Sequence, residues 1–132
     1  GAPERDVVCV TGDGAAGFNV MELQTAVRER ARITCVVMAE SEWTMEIPNE
    51  MARFGKTFGT STGEVRWDKV AQGLGCHGEH VESIEDLTAA LARCKAQAGP
   101  ALVAVRTSKQ ANLAVPEAGI ARFFEVYFGP SA

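Results

Sequence analysis

The sequence predicts an α/β domain, a mainly parallel sheet flanked by helices. Three observations carry this. Short runs at residues 7–10, 33–38 and 101–105 are almost wholly apolar, which fits strands buried on both faces of a parallel sheet. Between them, apolar residues recur three and four apart, the period of a helix with one covered face. A glycine-rich turn follows the first run at once, where a strand hands over to a helix. The chain has 132 residues, 46% hydrophobic and 23% charged, which suits one globular domain with a filled core.

Taken in order, Val7, Val8, Cys9 and Val10 make the first strand, and the glycine turn follows. Asn19 stands at an N-cap position with Glu22 three residues on, close to a capping box. Val20, Leu23 and Val27 line one face of a helix running to about Arg30. The second strand, residues 33–38, ends at Ala39-Glu40. Pro48 precedes a short helix at 49–54 that Gly55 stops. Residues 55–63, rich in Gly, Thr and Ser, read as a mobile loop.

Residues 66–74 form a helix with Trp67, Val70 and Leu74 on one side, and a short strand follows at 80–82. Ser83 and Asp86 are a second capping-box pair, opening a helix through Leu87, Leu91 and Cys94 that Gly99-Pro100 stops. Residues 101–105 are the last strand. The tail at 118–128 is amphipathic, and Ile120, Phe123 and Phe124 need a surface to cover them.

Net charge is −4, the pI is 5.2, and no long run carries one sign, so nucleic acid and anionic membrane surfaces are poor partners. No apolar stretch approaches a membrane span, and the opening GAPERDVV lacks the pattern of a signal peptide. Cys9, Cys35, Cys76 and Cys94 are scattered without a C-x-x-C. Cys9 and Cys35 lie in apolar runs and are expected as buried free thiols in a reducing cytoplasm. Cys76-His77-Gly78-Glu79-His80 matches no zinc spacing and reads as a turn leading into a strand. The acidic run at 79–86 reads as a solvated face with a helix cap. Without a G-x-S-x-G, and with no nucleophile paired to either histidine, triad hydrolysis has no support.

The chemistry concentrates in VTGDGAAGFN, residues 10–19. Gly12, Gly14 and Gly17 fit the G-x-G-x-x-G pattern that cradles a dinucleotide pyrophosphate, and Glu40, 23 residues after Gly17, stands near the place of a ribose-binding acid. An NAD-binding dehydrogenase domain is therefore one reading, and a plain structural turn is another. Asp13 favours a third. A carboxylate beside a diphosphate is repulsive by several kcal/mol at short range and an effective dielectric of about 20. Residues 11–27 hold no Lys or Arg to offset it. A divalent cation between the two turns repulsion into two attractions, and Mg²⁺ suits carboxylate, carbonyl, water and phosphate ligands. Glu40, at the end of the adjacent strand, serves either reading.

Gly12-Asp13-Gly14, the helix with Asn19-Val20-Met21-Glu22-Leu23-Gln24-Thr25-Ala26, and the pair Ala39-Glu40 27 positions after Asp13 resemble the thiamine-diphosphate motif. That motif usually closes on Asn-Asn. The likeness is to acetolactate synthases and related 2-oxo-acid decarboxylases, and it runs along nearly the whole chain to Val103-Ala104-Val105-Arg106.

The resemblance implies thiamine diphosphate and Mg²⁺ as cofactors, with Asp13, Glu40 and the carbonyl of Glu42 on the metal. It implies that Gly14 and Ala15, beside Gly12, offer N–H groups to the diphosphate, and that Met45 stands where those enzymes carry a methionine. Trp43 has two readings, beside the cofactor or in the core. The activity implied is decarboxylation or carboligation of 2-oxo acids. Residues 1–132 are then a single domain, most of the diphosphate-binding domain of a larger enzyme, with no catalytic residue of its own. The activating glutamate is expected in another domain, normally from the partner subunit of a homodimer or tetramer, so the fragment alone is expected to be inactive. Two features depart from the pattern: Glu40 replaces Asn, adding charge and one methylene of reach, and Ala39 removes the other amide. A binding module that has lost catalysis remains a further alternative.

Overall fold

Valine is the commonest residue in the four strands, β1 (Val8–Gly12), β2 (Thr34–Ala39), β3 (His77–Val81) and β4 (Ala101–Arg106). They form one sheet in the order β1-β2-β4-β3 with every ladder parallel. A computed structural model describes residues 4–108. The described chain falls into two units, residues 4–42 with 61–107, and residues 43–60 with Ser108.

The first unit holds the sheet and four helices: α1 (Asp13–Asn19), α2 (Glu22–Arg28), α4 (Trp67–Gly73) and α5 (Ile84–Lys95). The second holds α3 (Ile47–Phe54). Parallel strands joined by crossovers of one hand place forward and returning connections on opposite faces of the sheet. The clusters follow that rule. Ala16, Leu23, Trp67 and Ala71, from α1, α2 and α4, pack with Val37, Leu102 and Ala104. Ala90 and Cys94, from the returning helix α5, pack with Val36, Val81 and Val103. Leu102, Val37 and Val103 are the largest fully buried side chains, each contributing about 1.5–3 kcal/mol of apolar burial.

Local chemistry explains the boundaries. The Ser83 hydroxyl accepts from the Asp86 N–H at 3.2 Å and donates to Asp86 Oδ2 at 2.7 Å, so the expected cap of α5 is formed. In the second unit Pro48 occupies the first turn of α3, where its missing N–H costs nothing, and Gly55 closes the helix at φ +68. There too, Phe54 and Phe58 meet edge to face at 5.5 Å, Lys56 lies over the Phe58 ring, and Phe58 N–H donates to Glu50 Oε2 at 2.7 Å.

Three expectations need correction. Asn19 is not an N-cap: it is the last residue of α1, and the chain bends at Val20 and Met21 before α2 begins at Glu22. The glycine stretch is itself helical from Asp13, because Gly12, extended at φ −74 and ψ 157, takes the N-cap position. The first strand is not buried on both faces: Val8 is 57% and Val10 67% exposed. Among the described residues β1 pairs only with β2, so it is an edge, and Cys9 on it is exposed while Cys35 is half-buried. The buried thiols are Cys76 and Cys94, and all four cysteines are free. The amphipathic tail at 118–128 lies outside the described residues.

Candidate functional site

The site grows from the C-terminal ends of β1 and β2. Their parallel register pairs Gly12 with Met38, so the residues following each strand emerge side by side. On one side the chain turns directly into α1, with Asp13 as its first residue. On the other it leaves β2 at Ala39 and runs through Glu40, Ser41 and Glu42.

Asp13 joins the two. It is buried, 6% exposed. Its Oδ1 accepts from the Gly14 N–H at 2.9 Å and its Oδ2 from the Ser41 N–H at 2.6 Å. Ser41 sits at φ +64, a left-handed conformation costing a non-glycine residue roughly 1–2 kcal/mol, and the bond to Asp13 holds it there. Beyond it, the Ser41 carbonyl accepts from the Thr62 N–H at 3.0 Å, and Glu42 faces Ser61 in an antiparallel bridge.

Among the described residues no Lys or Arg makes an ion pair with Asp13. Two backbone N–H groups stabilise the carboxylate but do not neutralise a buried charge, and a cation is the natural complement. Gly12 adds a steric observation: a Cβ built there meets nothing within 4 Å, so the protein's own packing does not demand glycine. The space above the strand end is open to a ligand. All the candidate donors (the Asp13 and Glu40 carboxylates and the Glu42 carbonyl) are oxygens, the donor class of a hard cation such as Mg²⁺. The first-turn N–H groups of α1 precede the start of the helical ladder and suit phosphate oxygens; that of Gly14 is taken by Asp13 Oδ1 in this structure, unlike that of Ala15.

The sequence-derived residues are not all in one place. Gly12, Asp13, Gly14, Ala15, Glu40 and Glu42 belong to the first unit, with Glu40 and Glu42 half-buried. Trp43 and Met45 belong to the second unit, where the Trp43 N–H donates to the Thr60 carbonyl at 2.8 Å and Met45 is exposed. Ser41, Ser61 and Thr62 escaped sequence reasoning. A serine at positive φ leaves no compositional signal, and the bridge joins residues far apart in the chain.

A second polar group lies at the other end of the sheet. Register runs from Val8 through Thr34 and Ala101 to His77, placing His77 level with the start of β1 rather than its end. There His77, Glu79 and Cys94 bring possible ligand atoms within 4.8 Å of one another. Arg93 already supplies the positive charge: its Nε lies 3.0 and 3.1 Å from the two Glu79 oxygens. Hydrogen bonding to Arg93, and then to His77, holds the Glu79 carboxyl below the usual range, while burial pushes the Cys94 thiol up to about 11. This is an ion-pair network beside a neutral thiol. The cavity of about 430 Å³ between β1 and α5, lined by Val8, Val10, Val36, Leu87 and Leu91, is apolar and does not include Asp13.

A parallel α/β sheet whose first strand hands over at Gly12-Asp13 to a helix defines the class: an α/β domain of the kind whose ligands bind beyond the carboxyl ends of its strands. Comparison with known proteins gives the family. Residues 1–105 match the family model for the thiamine pyrophosphate enzyme, C-terminal TPP binding domain, and the chain belongs to that family. It is 37% identical over 106 residues to a probable acetolactate synthase of Mycobacterium bovis, covering 80% of this chain and 19% of that protein. It is 34% identical over 110 residues to a catabolic acetolactate synthase of Raoultella terrigena, covering 83% of this chain and 20% of the other. Its fold is similar to that of a thiamine diphosphate-dependent 4-hydroxybenzoylformate decarboxylase from Rhodococcus jostii RHA1, with TM-score 0.76, 25% identity, and coverage of 81% and 20%. The chain thus spans about a fifth of the length of these relatives. Among the described residues, no helix is long and apolar enough to cross a membrane.

Proposed function

We propose that this chain holds the diphosphate end of thiamine diphosphate through Mg²⁺, as part of a longer cytoplasmic enzyme acting on 2-oxo acids by decarboxylation or carboligation. The observation that carries the reading is the buried Asp13 carboxylate, bonded to the Ser41 N–H at 2.6 Å and without an ion pair among the described residues.

In this reading Asp13, the Glu40 carboxylate and the Glu42 carbonyl ligate Mg²⁺, and the ion neutralises the diphosphate. Gly14 and Ala15 donate N–H groups to the phosphate oxygens, the Gly14 N–H exchanging Asp13 Oδ1 for phosphate, and Gly12 leaves room for them. Glu40 stands where the family pattern has Asn and keeps an oxygen ligand with one more charge. Met45 stands where the family pattern carries a methionine. When bound, the cofactor supplies the electron sink for loss of CO₂. This chain's residues hold and orient it and move no proton in the reaction.

The activating glutamate and the substrate pocket are assigned to other domains and to a second subunit of a homodimer or tetramer. The isolated chain is therefore inactive and binds cofactor weakly. Calorimetry at millimolar thiamine diphosphate, with and without Mg²⁺ and against NAD, tests the reading. Heat that requires Mg²⁺ supports it, and binding of NAD alone overturns it.

A further inference from the structure

We propose that Thr62 is a positioning residue for the metal loop, acting through its backbone N–H rather than its side chain. The inference rests on the reading above, in which the Glu42 carbonyl is a metal ligand.

Glu42 and Ser61 face each other as an antiparallel pair, and the bonds on either side of them are made by their neighbours. The Thr62 N–H donates to the Ser41 carbonyl at 3.0 Å, and the Trp43 N–H to the Thr60 carbonyl at 2.8 Å. In such a pair the central residue's own N–H and C=O point away from the partner strand. The planar 42–43 peptide directs its N–H toward Thr60 and therefore its carbonyl, that of Glu42, the opposite way. The Ser41–Glu42 peptide is fixed likewise by Thr62.

Ser41 is consequently held at both ends, its N–H by Asp13 and its carbonyl by Thr62. Its left-handed backbone at φ +64 does not persist without such support. With the Thr62 bond removed, Ser41 loses one of its two supports and the 41–42 peptide is free to rotate, leaving the Glu42 carbonyl oriented only by the Trp43 bond to Thr60. The Thr62 side chain takes no part: the residue is exposed, and its hydroxyl reaches only the adjacent Gly63 carbonyl at 3.4 Å.

The test compares Thr62→Pro, which deletes the N–H, with Thr62→Ala, which keeps it. Mn²⁺ serves as the probe, read by electron paramagnetic resonance in the presence of millimolar thiamine diphosphate, with circular dichroism as the check on folding. Thr62→Pro is expected to weaken Mn²⁺ binding at least tenfold with unchanged secondary structure, and Thr62→Ala to bind within twofold of the unsubstituted chain. If Thr62→Pro loses its fold, the α-hydroxy analogue of threonine at position 62, an ester in place of the N–H, carries the same comparison. Equal binding by the variant lacking the N–H and the unsubstituted chain overturns this inference alone. No Mn²⁺ binding by the unsubstituted chain overturns the reading it rests on.

Discussion

Asp13 Oδ2 lies 2.6 Å from the Ser41 nitrogen, and this bond ties the loop after β1 to the loop after β2. It satisfies half of a buried carboxylate and holds a serine at positive φ. Ser41→Pro removes the donor and forbids that φ. The expected loss is more than about 2 kcal/mol of stability in urea denaturation, together with loss of metal-dependent cofactor binding. A variant as stable as the parent would show that the bond does not shape the loop.

Gly78 tests the packing of α4 on the sheet. A Cβ there would stand 2.2 Å from the Asp68 carbonyl oxygen, which is backbone and cannot swing aside. Gly78→Ala should therefore destabilise by more than about 3 kcal/mol or fail to fold, as overpacking against main chain does. Equilibrium unfolding measures it.

Much of this architecture was legible from residues alone, for identifiable reasons. The run at 101–105 is buried because β4 is central, so its apolar composition and its environment agree. Ser83 and Asp86 form their cap because capping is local chemistry. The run at 7–10 has the same composition as a central strand but lies at an edge, and composition cannot report which neighbours are present. Asn19 misled because its spacing to Glu22 fits a capping box, whereas Gly12 had already begun the helix seven residues earlier than expected. At the site, Asp13 announced itself through its charge between two glycines. Ser41 and Thr62 did not, since their contributions are made by main-chain atoms that any residue carries.

The ion pairs at Glu79 and Asp68 predict the acid limb of stability. Hydrogen bonding to Arg93 holds the Glu79 carboxyl below its ordinary value, and hydrogen bonding to Arg66 does the same for Asp68. Both carboxyls have lower pKa values folded than unfolded. Their contribution is present above the unfolded values, about 4 for both, and is lost as pH falls through the depressed folded ones. Arg93 and Arg66 are more than half exposed, so solvent and salt moderate the effect. Melting temperature should fall below about pH 4, and Glu79→Gln should flatten that slope. An unchanged slope in the variant would remove Glu79 from the account.

Thiol reactivity should follow exposure. Cys9 is exposed on the open edge of β1, whereas Cys76 and Cys94 are buried. Burial also pushes the Cys35 and Cys94 thiols up to about 11, leaving little thiolate at neutral pH. Iodoacetamide under native conditions is expected to label Cys9 first and Cys94 last, read by peptide mass spectrometry. Protection of Cys9 equal to that of Cys94 would mean that the edge of β1 is covered.

The central claim is that Asp13 binds a cation that in turn binds a diphosphate. Calorimetric titration of the longer enzyme that carries this chain, unsubstituted and as Asp13→Ala and Glu40→Asn, with thiamine diphosphate, with and without Mg²⁺, tests it most directly. The account predicts binding only with Mg²⁺, its loss by more than about 100-fold in Asp13→Ala, and retention within about threefold in Glu40→Asn, which restores the usual family ligand. Mg²⁺-dependent binding that survives Asp13→Ala would contradict it. So would NAD binding that improves in Asp13→Ala and weakens in Glu40→Asn.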